Sequence, residues 1–404
     1  MFRGKNLTAV GALLLVAALA VVTGASAKQQ AAPIVIEVIA PVATPIENYP
    51  DAQAGVEGAA AAINKAGGIK GQQIEIKFCN TNSNANTASA CARQAVSDGA
   101  AFVTGYLGTQ SPLIIPILAQ ANIPIIGARS AGNPIDWTSP VEFPIAGGAA
   151  SNYQAIPFAV KKLGKKRFFV FYQDVPSAAT NAKNVLRAAK IAKLPIVGSA
   201  VLPGATTDFT PYVQKLRDAN PDAVTFINSP GVSGGMMRAA EALGVKPLWS
   251  HNAGSIGEPE AAQIGAPTEG MLIASDLPSF RDVQYKGIRH FLADMTAAGK
   301  DSNPVNLKVT GIATWTAVYA VKNISPNVKG AVTNTSLLTA LRAQKKPINV
   351  EGFLNWRPGV KGPAALPRWN TMMNYWMTFR SGKAVSWGKA QPPIDVVKAL
   401  GFVR

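Results

Sequence analysis

Apolar positions along this chain fall into short strand-like runs separated by longer stretches with helical spacing. Ile34–Ile39, Gln73–Phe78, Ala101–Gly105, Ile123–Gly127 and Arg167–Tyr172 read as strands, as do Pro195–Leu202, Ala223–Asn228, Pro247–Ser250 and Met271–Ser275. Between most of them lie helical patterns such as Pro112–Gln120, Thr180–Lys193, Pro211–Ala219 and Gly234–Leu243. Strands that alternate with helices predict parallel sheets with crossover helices, the α/β class. After residue 281 the pattern turns helical, over Asp282–Ala298, Lys308–Val321 and Ser336–Ala343. The tail then predicts a hairpin, with Asn370–Phe379 leading into the turn Arg380-Ser381-Gly382-Lys383. Pro157 sits inside a helical stretch, which is expected to start late or kink there.

The stretch Ala59–Asn82 carries the most local detail. A small-residue helix runs to Ala66, and Gly67-Gly68 is expected to end it, since glycine takes the left-handed backbone that a helix C-cap needs. Lys70-Gly71 makes a second turn, and Ile74, Ile76 and Phe78 alternate with polar residues as a strand does. That strand delivers Cys79-Asn80-Thr81-Asn82 into a polar loop.

Residues 1–27 read as a cleaved secretory signal peptide. Arg3 and Lys5 precede the apolar run Ala9–Val22, which is too short for a membrane span, and Ala25-Ser26-Ala27 supplies small residues for cleavage. This leader has no cysteine, so an exported protein that is not a lipoprotein is expected. The only two cysteines, Cys79 and Cys91, are expected to form a disulfide in an oxidising compartment. Without a neighbouring histidine they cannot complete a zinc shell, and no metal or cofactor is expected.

The Ala59–Asn82 run resembles one family, the periplasmic solute-binding proteins of branched-chain-amino-acid-type ABC importers (leucine-binding-protein-like, type I periplasmic binding fold). Further segments carry the resemblance in order. Gly108-Thr109-Gln110-Ser111 is similar to the family's first ligand loop, and Gln120-Ala121-Asn122-Ile123-Pro124 through Ala128-Arg129-Ser130 to its second. Thr206–Thr210, Glu269-Gly270-Met271, Gly311–Val321 and the tail from Glu351-Gly352 to Gly382-Lys383 follow the family's later segments.

The resemblance implies two doubly wound parallel-sheet lobes joined by a three-strand hinge, with the ligand in the cleft between them. Crossings are expected near Pro144–Gly148, Ser275–Phe280 and Val350–Leu354. Lobe one would hold residues 28–145 and 281–350, and lobe two 146–280 and 351–404. It also implies an extracytoplasmic, monomeric protein that captures a small-molecule ligand and delivers it to a membrane permease. The alternative is a ligand-sensing receptor of the same fold that signals to a membrane partner.

In open α/β sheets ligands bind beyond the carboxyl ends of the strands. Lobe one then offers Tyr49, followed by Tyr106, Gly108, Thr109 and Gln110, and by Ala128, Arg129 and Ser130. Lobe two offers Asp174 and Ser177, Asn228 and Ser229, and Asn252. The chain departs from the family's amino-acid binders at three of these places: Arg129-Ser130-Ala131 stands at the second loop, Asn252 where an acid often pairs the ligand's ammonium, and Ser229-Pro230 where a tyrosine often stands. Losing the acid weakens the case for an α-amino ligand, and gaining Arg129 favours a carboxylate, which guanidinium binds in bidentate fashion. A small organic acid, aromatic or amino-acid-like, is the expected ligand, unless Arg129 points to solvent at the lobe edge.

The net charge is +17, which raises the question of nucleic acid. The basic residues are scattered, however, and the one tight cluster (Lys161, Lys162, Lys165, Lys166, Arg167) falls at a helix C-terminus and strand entry, where cations complement the helix dipole. No nucleic-acid partner is expected. Catalysis is not expected either. The chain has two histidines, and His290 reads as a surface residue of a polar helix. No G-x-S-x-G elbow, phosphate loop, H-E-x-x-H or dinucleotide fingerprint is present. Gly231–Gly235 is glycine-rich but lacks a P-loop lysine, and a hinge-side loop is expected there.

Overall fold

A computed structural model describes residue 1 and residues 31–402, except 45–46, 370–371 and 389–390. The expected signal peptide lies outside the described residues. The first sheet contains β1 (Ile34–Ala40), β2 (Ile74–Asn80), β3 (Phe102–Gly108), β4 (Ile125–Ile126), β5 (Arg129–Ser130) and β6 (Glu142–Phe143). Its order is β2-β1-β3-β4-β6, with β5 added beside the end of β3, and all pairs are parallel. β1 and β3 are buried almost throughout because helices cover both faces of a parallel sheet, which explains their near-continuous apolar runs. Glu37, in the middle of β1, is the exception: it is fully buried, and neither carboxylate oxygen has a hydrogen-bond partner among the described residues.

The second sheet contains β7 (Phe168–Tyr172), β8 (Ile196–Val201), β9 (Ala223–Ile227), β10 (Leu248–Asn252) and β11 (Leu272–Ser275). Two short strands, β12 (Ile348–Val350) and β13 (Leu354–Trp356), pair only with each other. β14 (Met373–Arg380), β15 (Lys383–Ser386) and β16 (Ile394–Asp395) then complete the second sheet, in the order β15-β14-β11-β10-β9-β7-β8, with β16 paired to β14. The core strands are parallel, whereas β14 joins antiparallel and forms the expected hairpin with β15 around Ser381 and Gly382, both at positive φ.

Three links connect the two sheets: from β6 into the helix Gly148–Lys162, from β11 toward the helix Lys286–Ala297, and from β13 to β14. The expected crossing at Val350–Leu354 falls on the β12–β13 turn, where Glu351 and Gly352 take positive φ. The helix Gly148–Lys162 contains Pro157 instead of starting after it.

The helix Asp51–Lys65 ends as its sequence suggests, with Gly67 and Gly68 at positive φ and the Gly68 N–H donating to the Ile63 carbonyl (2.9 Å). It packs against Val309–Ile324, a helix buried on all sides apart from Lys322 and Asn323. Their contact is close enough that a Cβ on Gly55 would sit 2.1 Å from the Gly311 carbonyl oxygen, so only glycine fits. Cys79, in β2, is bonded to Cys91 on the helix Ala85–Ser97, as expected.

Candidate functional site

In both sheets the chain reverses its direction of winding, between β1 and β3 in the first and between β7 and β9 in the second. Such switch points leave a crevice beyond the carboxyl ends of the strands. Loops from both line one cleft of about 620 Å³, within the usual size of a small-molecule site.

On the first-sheet side, Tyr49 follows β1 and stacks on Tyr106 of β3, with ring centroids 3.7 Å apart and planes inclined by 20°. β5 pairs with the end of β3, Arg129 opposite Tyr106 and Ser130 opposite Gly108, which brings Arg129 to the cleft. Arg129 is only 2% exposed, so it does not point to solvent. Its Nη2 lies 2.9 Å from Asp276 Oδ1, and Asp276 Oδ2 accepts the Gly148 N–H at 2.7 Å. Nε and Nη1 of Arg129 are buried without a partner among the described residues.

Two further charged groups stand on this side. The Glu47 carboxylate accepts a hydrogen bond from the Ser83 hydroxyl (3.1 Å), and burial raises its pKa above the ordinary value. Lys308 precedes the helix Val309–Ile324 and lies over the Tyr49 ring, 5.8 Å from its centroid. Its Nζ is 2.9 Å from Oε1 of Glu260, which lies on the helix Glu258–Ile264 of the other side. Just behind, Asp51 Oδ2 accepts the Gly311 N–H (2.8 Å), and burial pushes the Asp51 carboxyl up to about 6.

The second-sheet side is mostly neutral. Asn228 at the end of β9 donates to the Leu202 carbonyl (2.8 Å). Asn252 at the end of β10 donates from Nδ2 to the Tyr153 hydroxyl (2.7 Å) and accepts the Ser255 N–H at Oδ1 (3.1 Å). His251 is buried, which drives its pKa down to about 4. The neutral ring accepts from the Asn252 N–H at Nδ1 (2.9 Å) and places Nε2 3.2 Å from the Asn228 carbonyl, fixing both loop residues. Asn181, on the helix Pro176–Ile191, donates across the cleft to the Ala131 carbonyl (2.6 Å).

Of the residues expected at the site, Tyr49, Tyr106, Thr109, Gln110, Arg129, Ser177, Asn228, Ser229 and Asn252 line the cleft. Gly108 lies under the Glu47 carboxylate instead of on the wall. Ala128 lines a separate small cavity beside Trp137 and Glu142, and its place is taken by Ala131. Asp174 is not on the wall, whereas its neighbours Gln173 and Val175 are. Glu47, Tyr153, Asn181, Glu260 and Lys308 line the cleft without having been expected there.

Two other expectations change. Gly231–Gly235 is not a loop but part of the helix Pro230–Ala242, where a Cβ on Gly234 or Gly235 would meet Ile264 or Phe209. His290 is not a free surface residue: its Nδ1 lies 2.8 Å from Glu351 Oε2, and its ring packs edge-on to Trp315. Among the described residues no cluster of three or more metal-ligating side chains is present, and no helix is long and apolar enough to cross a membrane.

Residues 33–377 match the protein family described as "Periplasmic binding protein". The chain is 28% identical over 222 residues to the Leu/Ile/Val-binding protein homolog 3 of Brucella melitensis, covering 54% of this chain and 60% of that relative's length. Two solved structures share the fold at lower identity. One is a solute-binding protein of an ABC transporter from R. palustris in complex with 4-hydroxybenzoate (TM-score 0.74, 18% identity, 90% of this chain and 97% of that one). The other is a branched-chain amino acid transporter substrate binding protein from Streptococcus pneumoniae in complex with isoleucine (TM-score 0.72, 20% identity, 88% and 98%).

Proposed function

Because the chain belongs to the periplasmic binding protein family, we propose that it captures a small organic acid between its lobes by hinge closure and presents it to the membrane permease of an ABC importer. It acts outside the cytoplasm as a binding protein, not an enzyme. Relatives of this fold hold ligands as different as isoleucine and 4-hydroxybenzoate, so the choice rests on the cleft.

The observation that carries the reading is Arg129. It is buried in the cleft wall with Nη2 committed to Asp276 and with Nε and Nη1 left without a partner among the described residues. Buried guanidinium donors are costly to leave unpaired, and a carboxylate is the anion that accepts most strongly from them. The stacked rings of Tyr49 and Tyr106 give an aromatic surface beside it. An aromatic carboxylate suits both features. Asn252, where an acid would have met an α-ammonium, is already hydrogen-bonded to Tyr153 and Ser255, which argues against leucine-like ligands.

Closure follows from the division of partners. Lys308–Glu260 and Asn181–Ala131 join the two walls, and a ligand held by both favours the closed arrangement over the open one. A thermal-shift screen of amino acids, aliphatic acids and aromatic acids tests the ligand class. A ligand at 100 times its Kd stabilises by about 2.7 kcal/mol. A melting shift with aromatic acids and none with leucine is expected; the reverse pattern would reject the reading.

A further inference from the structure

We infer that Glu47 is the second anchor of the cleft, selecting a ligand that carries a hydrogen-bond donor, hydroxyl or ammonium, at the end remote from its carboxylate. This rests on the carboxylate reading of Arg129 and adds to it the chemistry of the ligand's other end.

The charges of the cleft are matched with one exception. Arg129 is paired with Asp276 and Lys308 with Glu260. Glu47 has no ion pair among the described residues, and the one side chain donating to its carboxylate is the neutral hydroxyl of Ser83. Half-buried in the cleft wall, this carboxylate gains from any donor that reaches it, and burial has raised its pKa.

Its position sets the geometry of the ligand. A Cβ on Gly108 would stand 3.0 Å from Glu47 Oε1 and 2.9 Å from the Tyr106 ring, so the carboxylate rests on the bare backbone of Gly108 beside that ring. Gly108 lies two residues beyond Tyr106, and Tyr106 is the register partner of Arg129. The pairing of β3 with β5 shifts register between Tyr106 and Gly108, and Arg129 and Glu47 both line the one cleft without pairing with each other. The stacked tyrosines share the cleft with both charges. The wall therefore holds a cation, an aromatic surface and an anion that is not paired with that cation. The acid missing at Asn252 on one wall has a counterpart on the other.

Isothermal titration of the purified chain with benzoate, 4-hydroxybenzoate and 4-(aminomethyl)benzoate tests this. At least one para-donor ligand should bind wild type tenfold or more tightly than benzoate. A margin for 4-hydroxybenzoate identifies a hydroxyl, and one for 4-(aminomethyl)benzoate an ammonium. Glu47→Gln should erase the margin while changing benzoate affinity by less than about threefold, and Glu47→Asp, which keeps the charge, should retain part of it. Equal wild-type affinities for the three ligands, or a margin that survives in Glu47→Gln, would overturn the inference and leave Arg129 as the anchor. If none of the three binds wild type, the carboxylate reading itself fails and the inference with it.

Discussion

The cleft wall built on the first sheet holds Arg129, Glu47, Lys308 and the stacked pair Tyr49–Tyr106, whereas the wall built on the second sheet offers Ser177, Asn181, Asn228 and Asn252, with Glu260 as its charge. On the second wall Asn252 is tied to Tyr153 and Ser255 and Glu260 to Lys308, whereas Asn228 donates to Leu202 but its Oδ1, like that of Asn181, has no partner among the described residues. On our proposal the first wall carries the groups that distinguish one solute from another, and the second is a cover that is neutral apart from Glu260. Folding a neutral wall over a charged one avoids stripping water from two charged surfaces at once, so closure need not oppose recognition. The asymmetry extends into the lobes. The first sheet contains a buried Glu37 at its centre, where the second has Val170 and Thr225.

The sharpest way to break this comparison is Arg129→Ala. It should weaken an aromatic carboxylate at least a hundredfold by titration, and lower stability by about 3–5 kcal/mol in denaturant because Asp276 is left buried without its cation. Unchanged carboxylate binding would remove the first wall's claim to recognition. Next in size is the covalent brace, which only the first lobe has. Cys79→Ser with Cys91→Ser should cost about 3 kcal/mol in chemical unfolding and alter ligand affinity by less than about threefold.

Glu37 gives a smaller effect with a definite sign. Burial raises its pKa to about 7 in the folded chain, so the folded state keeps a proton that the unfolded state releases above about 4.5. Its contribution is most favourable below the unfolded value and is lost as pH rises through about 7. Glu37→Gln should flatten that slope and stabilise the protein by about 1–2 kcal/mol at pH 8, read from melting curves across pH. The smallest effect belongs to the second wall. Asn181→Ala removes one hydrogen bond to the Ala131 carbonyl and should weaken ligand binding only by about fivefold, equivalent to about 1 kcal/mol. A hundredfold loss there would place recognition on both walls.

Much of the fold was legible because its strands are buried on both faces and therefore read as short apolar runs. β1, β7 and β9 appear within a residue or two of where the pattern puts them, and β3 starts at the expected place but runs on to Gly108. Pairs of residues such as β5 and β6 were not, since two residues have no period to detect. The site was legible where a loop directly follows a core strand, as at Tyr49, Tyr106, Asn228 and Asn252. It was illegible where a helix or a neighbouring loop turns a side chain inward. Asn181 and Glu260 lie on helices, and Lys308 is brought in by a helix that starts about 200 residues after β3, against which it packs. Glu47 and Asn48 precede Tyr49 in the same loop, and nothing in the sequence says which of the three turns inward. Gln173 replaced Asp174 for the same reason, because one residue of rotation exchanges the wall for the outside. Gly231–Gly235 misled because glycines usually mark loops, whereas here they let a helix approach Ile264 and Phe209.

The helix Val309–Ile324 has a consequence for the order in which the protein can be completed. It covers the first sheet through Asp51–Lys65 and β3, yet it leaves the ribosome only after every parallel strand of the second sheet. The second sheet in turn waits for β14, which begins at Met373. Neither half can finish its core until the last quarter of the chain has been made, so a nascent chain stays open and threadable for most of its synthesis.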